Sequence, residues 1–280
     1  MASLWILVSC IFFAAMSAVI KYSAVKVSLF EIVFYRSLIN LVIMSGLIII
    51  KKQTFKTKNF KGHFTRSTIG MIAMLMGFYA LVHLPLATAS SLTYTNPIFQ
   101  TIIAFFQNTV KVTKALILTV ILGFLGCLIL LNPKLSGLDH TAIIVGIAAG
   151  FFTALAYFNV GKLIRAGESS LLVVFYFSLI CSIFSFLLIL VDGGFSWLNI
   201  HDVALVLMIG IFGTVGQITL TQAYGHGNPI VVGTLSYTQI VFAAILGYLI
   251  FSETISIYSS IGIALILIAG LVSLKYSKKA

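Results

Sequence analysis

The chain has 280 residues, 60% of them hydrophobic and only 8% charged, with a mean hydropathy of +1.15. A water-soluble domain carries charge on about a quarter of its residues, so most of these apolar side chains must face lipid. The net charge of +11 comes from basic residues lying between apolar runs, with no aromatic reading surface among them, which excludes a nucleic-acid-binding protein.

The apolar runs are continuous and not alternating, so they read as helices and not as barrel strands. In chain order the spans fall near residues 3–22, 28–50, 66–84, 87–108, 114–132, 141–163, 169–191, 203–223, 229–251 and 255–275. The expected fold is an all-α integral membrane protein with ten transmembrane helices. Only residues 51–65 and 192–202 are long enough to hold structure outside the bilayer. Residues 1–20 lack a basic leader segment, so the first span is expected to be retained. Cys10, Cys127 and Cys181 each fall inside a span, without disulfide or metal spacing, and are expected to be small buried hydrophobes.

Basic residues set the expected orientation. With the N-terminus cytoplasmic, inside segments hold Lys51, Lys52, Lys56, Lys58, Lys61, Arg66, Lys111, Lys114, Lys162, Arg165, Lys275, Lys278 and Lys279, thirteen in all. Outside segments hold three, Lys21, Lys26 and Lys134. This bias predicts cytoplasmic termini and an even number of spans in a bacterial inner membrane.

The two halves resemble each other. Residues 32–39 (IVFYRSLI) match residues 173–180 (VVFYFSLI) at six of eight positions, at an offset of 141. Ser91-Leu92-Thr93-Tyr94-Thr95 corresponds to Thr234-Leu235-Ser236-Tyr237-Thr238 at an offset of 143, and Ala80/Ala223, His83/His226 and Phe99/Phe242 keep that register. The expected organisation is residues 1–135 and 136–280. Five spans per copy is an odd number, so the second copy must insert upside down. Inverted repeats of this kind place a transport site at their interface near the bilayer midplane.

Polar residues inside spans are the candidates for that site, because they are costly unless they face protein or water. Lys21 lies at the outer end of span 1, one turn after Ser17, as a gate contact or an interfacial lysine. Arg36 stands well inside span 2, with Asn40 one turn on. Its guanidinium either binds a carboxylate or phosphate through two parallel hydrogen bonds or pairs with Glu31. Glu31 is also the most plausible proton site. Span 4 carries Thr93, Tyr94, Asn96, Pro97 and Gln100; Pro97 removes a backbone donor and is expected to kink a cavity-lining helix. Span 9 repeats that run with Ser236, Tyr237, Thr238 and Gln239. In span 8, Thr214, Gln217, Thr221 and Tyr224 form one stripe, with Gln222 to its side. Tyr35, Tyr79, Tyr157 and Tyr176 are aromatic candidates for an amphipathic or cationic ligand. His83 and His226 read as structural. Gly123 and Gly126 in span 5, with Gly262 and Gly270 in span 10, predict close helix packing.

Several of these residues also carry a family resemblance. Lys21, Arg36, Tyr79-Ala80-Leu81, Pro85-Leu86-Ala87, Ala89, Leu92, Tyr94 and Asn96-Pro97 in the first half, and Gln222-Ala223, Leu235, Tyr237, Glu253, Gly262 and Gly270 in the second, resemble the drug/metabolite transporter superfamily in its ten-helix EamA-type branch. The resemblance implies export or exchange of amino acids, amphiphilic drugs or nucleotide-like metabolites. It also implies a central cavity between spans 1–4 and 6–9, with spans 5 and 10 behind. The family often carries a Glu after the fourth span of each half. Glu253 fits, whereas the first half reads Gln107-Asn108-Thr109-Val110.

No nucleotide-binding loop, catalytic motif or acid cluster is present, so the expectation is a secondary transporter without catalytic residues, metal or cofactor. Its partners would be the bilayer and a small-molecule substrate, with the chain a monomer or homodimer. With no carboxylate at mid-membrane, uniport or exchange is expected, by rocking spans 1–4 against spans 6–9. The rivals are an exchanger of a nucleotide-like methyl donor and a passive channel.

Overall fold

A computed structural model describes residues 2–23, 28–84, 86–108, 111–132, 139–251 and 256–277. Among these residues there are twelve α-helices and no strand: α1 Ala2–Ser23, α2 Leu29–Ile50, α3 Phe60–His83, α4 Leu86–Thr93, α5 Asn96–Phe106, α6 Lys114–Leu131, α7 His140–Arg165, α8 Ser170–Val191, α9 Ile200–His226, α10 Pro229–Ser236, α11 Thr238–Phe251 and α12 Ile257–Ser277. They make ten spans, because the fourth is split into α4 and α5 and the ninth into α10 and α11. Eight of the ten are long and apolar enough to cross a bilayer on length and composition. Lipid offers backbone groups no hydrogen bonds, so helices that satisfy their own N–H and C=O groups are the structure this composition demands.

Span 3 begins at Phe60, six residues before the expected start at residue 66. The side chain of Asn59 caps it by accepting from the Gly62 N–H at 3.1 Å. Arg66 therefore belongs to the helix and not to a loop. Span 4 breaks and does not bend. Pro97 sits in the first turn of α5, where its missing donor costs nothing, and its ring denies the Thr93 carbonyl an intrahelical partner. Asn96 Nδ2 donates to that freed carbonyl at 3.1 Å. Span 9 breaks at the repeat-related Tyr237 without a nearby proline. There Ser236 and Thr238 hydroxyls donate back to the carbonyls of Gly233 and Leu235, both at 2.7 Å.

The helix packing discloses two inverted repeats. α1 packs chiefly on α9, and its repeat mate α7 packs on α3, the mate of α9. α2 packs on its own mate α8, and α6 on its own mate α12. Elements that pair with their own mates must lie on the pseudo-twofold axis relating the halves. The α6–α12 crossing is close because it is built on glycine: a Cβ on Gly126 would come within 2.8 Å of the Gly262 carbonyl oxygen, and one on Gly262 within 2.6 Å of the Gly126 oxygen. Large apolar side chains on the outer faces of α1, α6, α8 and α12, such as Leu4, Leu118, Leu187 and Leu271, are exposed where lipid would lie. α8, α9 and the α10–α11 pair are the most enclosed.

A loop latches each face, again in a repeat-related pair. Phe195 packs on Phe34 and Tyr35, with ring centroids 5.4 and 6.1 Å apart, while Ser196 donates from N and Oγ to the Glu31 carboxylate at 2.6 and 2.8 Å. On the other face, Phe55 packs on Phe175 at 5.1 Å, Tyr176 donates to the Phe55 carbonyl at 2.8 Å, and Thr57 donates to Glu168 at 2.6 Å. Phe34 and Tyr35 are the repeat mates of Phe175 and Tyr176 at the offset of 141, and Phe55 and Phe195 are 140 apart.

Candidate functional site

Arg36 sits seven residues into α2, about 10 Å along it. Its Nη2 donates to Gln217 Oε1 of α9 at 3.4 Å, and its Nη1 lies 3.9 Å from Met74 Sδ of α3. Met74 and Gln217 are repeat mates, since 74 + 143 = 217. A side chain that touches both members of a repeat pair lies next to the pseudo-twofold axis, at the interface of the halves. The Phe13 ring flanks the guanidinium, 5.7 Å from centroid to Cζ. Gly213 gives it room, because a Cβ there would fall 2.9 Å from Arg36 Nε.

Sequence reading missed the second cation. Arg66 is 2% exposed, and its guanidinium lies over the Phe177 ring at 3.8 Å from the centroid. Its Nε and Nη1 are buried without a hydrogen-bond partner. Tyr157 and Cys181 lie within electrostatic reach of both arginines. The symmetry explains the placement. Phe177 is the mate of Arg36 (36 + 141 = 177), and Gly70, beside Arg66, is the mate of Gly213 (70 + 143 = 213). The second half has a phenylalanine where the first has an arginine, and α3 delivers a guanidinium to that place.

A polar ladder stands at the break in span 4. The Tyr157 and Tyr224 rings stack with centroids 4.6 Å apart. Gln100 Nε2 donates to the Tyr224 hydroxyl and to Asn96 Oδ1, both at 3.0 Å. Asn96 in turn holds the Thr93 carbonyl, so the opened backbone, an amide pair and two phenols form one connected set. Of the expected site residues, Arg36 meets Gln217 and Asn96 meets Gln100, with Pro97 at the break. Asn40 is buried one turn from Arg36, with its Oδ1 unpartnered.

Other candidates go elsewhere. Tyr176 belongs to the latch at Phe55 and not to the centre. Tyr79 is 38% exposed at the end of α3 and stacks on His83 at 4.1 Å. Tyr237 is fully buried, packed on Gly123, where a Cβ would come within 2.6 Å of its ring, and 6.3 Å from the Tyr94 ring; it is core at the axis. Thr93 donates back to the Ala89 carbonyl at 3.1 Å. Gln239 is half-buried at the start of α11. Glu31 does not pair with Arg36. Its carboxylate is taken by the Ser28 N–H at 2.9 Å and by Ser196, so it serves as a cap and latch and not as a site facing the cavity. The side chain of Lys21 and all of Glu253 lie outside the described residues. Among the described residues no cluster of acids, histidines or cysteines could hold a metal.

The sequence matches the EamA-like transporter family twice, over residues 1–132 and 140–274. The chain belongs to that family. It is 29% identical over 276 residues to an uncharacterized transporter of Helicobacter pylori (strain J99), covering 95% of this chain and 92% of that one. It is 27% identical over 267 residues to the pseudopaline exporter CntI of Pseudomonas aeruginosa (strain PAO1), covering 95% and 93%. It is 25% identical over 253 residues to the S-adenosylmethionine uptake transporter of Rickettsia bellii, covering 89% and 84%. A crystal structure described only as a protein superposes with a TM-score of 0.87 over 99% of this chain and 98% of that one, at 16% identity, a likeness of fold alone. The protein is a multi-span membrane transporter of small molecules and not an enzyme.

Proposed function

We propose that this transporter moves small organic metabolites, amino acids or similar amphiphilic molecules, by alternating access as an exporter or exchanger in a bacterial inner membrane, with both termini cytoplasmic. The observation that carries this reading is Arg36 on the repeat axis, in contact with the mates Met74 and Gln217 and with donor capacity to spare. A midplane site at the interface of inverted repeats is the common ground about which carriers of this architecture alternate.

The packing redraws the moving bodies. Rocking spans 1–4 against spans 6–9 would break the α1–α9 and α3–α7 seams, the two most extensive in the molecule. Bodies that keep those seams combine α1, α2, α9, α10 and α11 on one side and α3, α4, α5, α7 and α8 on the other. They meet at α2–α8 on the axis, and each is latched to the other by one of the two loops. α6 and α12 pack together behind them.

A second reading, exchange of a nucleotide-like methyl donor, is favoured by the likeness to the S-adenosylmethionine uptake transporters. Counterflow in proteoliposomes decides between the readings and against a channel. A carrier loaded with its substrate accelerates uptake of labelled substrate and saturates, whereas a channel does neither. Arg36→Ala should abolish substrate binding; unchanged binding in that variant sinks the assignment of the site.

A further inference from the structure

Two guanidiniums share the interior of a membrane protein whose described acids all lie elsewhere. Glu31 is held by Ser28 and Ser196, and Glu168 by Thr57 and His63. The Asp139 carboxylate caps α7, and the Asp202 carboxylate accepts from the Asn199 N–H in the capping box of α9. Asp192 ends α8 at the surface. Among the described residues none pairs with Arg36 or Arg66. An arginine does not deprotonate, so the centre carries two positive charges at a depth where each is costly without an anion. The Phe13 and Phe177 rings attract these cations but accept no in-plane hydrogen bonds. Arg66 retains two buried donors with no acceptor, and Arg36 has only a long bond to Gln217 and a sulfur contact.

We infer that Arg36 and Arg66 form one anion-binding centre across the repeat axis, and that the transported molecule is an organic dianion, either a dicarboxylate or a phosphate monoester. This inference rests on the reading of the axis as the substrate site. The spacing suits such a ligand. Arg66 Nη1 points along α3 to Gly70, 3.5 Å from where a Cβ would stand, and Arg36 Nη1 reaches Met74, one turn beyond Gly70. Both guanidiniums are therefore presented beside the same two turns of α3, close enough for one small dianion to bridge them. A zwitterionic amino acid would satisfy one fork, leave the other, and bring its own ammonium against it.

The test is thermal stabilisation of the detergent-purified full chain at constant ionic strength, with succinate and glycerol phosphate as the two dianion arms. Alanine and tetraethylammonium are the zwitterionic and cationic controls. At least one dianion should bind tenfold or more tightly than alanine, and whichever arm responds names the anion chemistry. Arg66→Gln and Arg36→Gln should each weaken that dianion by about 100-fold, since each leaves half of the ligand charge unpaired. Arg66→Lys, which keeps the charge and loses the fork, should stay within about tenfold of wild type. Binding of alanine or of the cation in preference to both dianions overturns the inference and leaves the metabolite carrier standing. Unchanged dianion affinity in Arg36→Gln also overturns it, even if Arg66→Gln fails to fold. Failure of every compound to stabilise the wild type, with no counterflow, overturns both.

Discussion

Gly213→Ala tests the position of Arg36 without touching the arginine. A Cβ at residue 213 would stand 2.9 Å from Arg36 Nε and 3.1 Å from Met16 Sδ, whereas ordinary contact begins at 3.4 Å, so the guanidinium must retreat by 3.4 − 2.9 = 0.5 Å. The atoms it meets, Arg36 Nε and Cγ and Met16 Sδ, belong to flexible side chains and not to backbone, so the methyl should cost about 1 kcal/mol, the low end of overpacking. Gln217 stands one turn beyond Gly213 on the same face of α9, so retreat from one is retreat from the other. The Arg36–Gln217 hydrogen bond, already at 3.4 Å, opens to about 3.9 Å and ceases to be one. A hydrogen bond to a charged group contributes about 1.5–3 kcal/mol, and a bond this long falls at the lower end, so substrate affinity should drop roughly tenfold. The assay is ligand-induced thermal shift beside the apparent melting temperature without ligand. Wild-type affinity with an unchanged melting temperature would show that Arg36 does not work from this place. A melting temperature as low as that of a Gly126 variant would show that the side chains around residue 213 are not free to yield.

Gly126→Ala meets backbone and not a side-chain tip, so α6 must move off α12 at a cost of about 1–3 kcal/mol, read as a lower melting temperature with ligand affinity retained. Tyr224→Phe removes the acceptor of Gln100 Nε2 in a buried ladder and should cost about 1–3 kcal/mol by the same measurement. Tyr176→Phe breaks only the latch bond to the Phe55 carbonyl, so it should leave ligand affinity untouched; a loss of binding would return Tyr176 to the site. Glu168 lies in the loop between α7 and α8. Burial acts to raise its pKa, but the hydrogen bonds from Thr57 and His63 outweigh burial and hold it below the ordinary glutamate value. A depressed pKa contributes stability that is present above the unfolded value of about 4.3 and is lost as the pH falls through the folded value. The acid-side drop in melting temperature should therefore shrink in Glu168→Gln, and an identical drop would show that the carboxylate is not held by these bonds.

The ten spans and the inverted repeat were legible because they follow from rules of long reach, and the family was legible from its motifs. Lipid demands about twenty apolar residues per crossing, an odd repeat must invert, and polar residues in a span must face something. Arg36, Gln217, Asn96 and Gln100 were named as candidates on the last of those rules. Arg66 was not, because basic residues are usual at helix ends on the expected cytoplasmic side, and the polar run of residues 57–68 hides the start of α3. Only the Asn59 cap marked it. The tyrosines divided for a different reason. Tyr176 and Tyr237 were attractive because each has a repeat mate, but repeat-paired positions are what an axis and two symmetric latches require, and such positions are structural first. The candidate centre lies instead where the halves differ. Phe177 stands in place of a second Arg36, Met74 in place of a second Gln217, and Arg66 has the buried Ile209 for its mate (66 + 143 = 209). A repeat fixes where such a site lies, and the unpaired residues at its axis determine what the site holds.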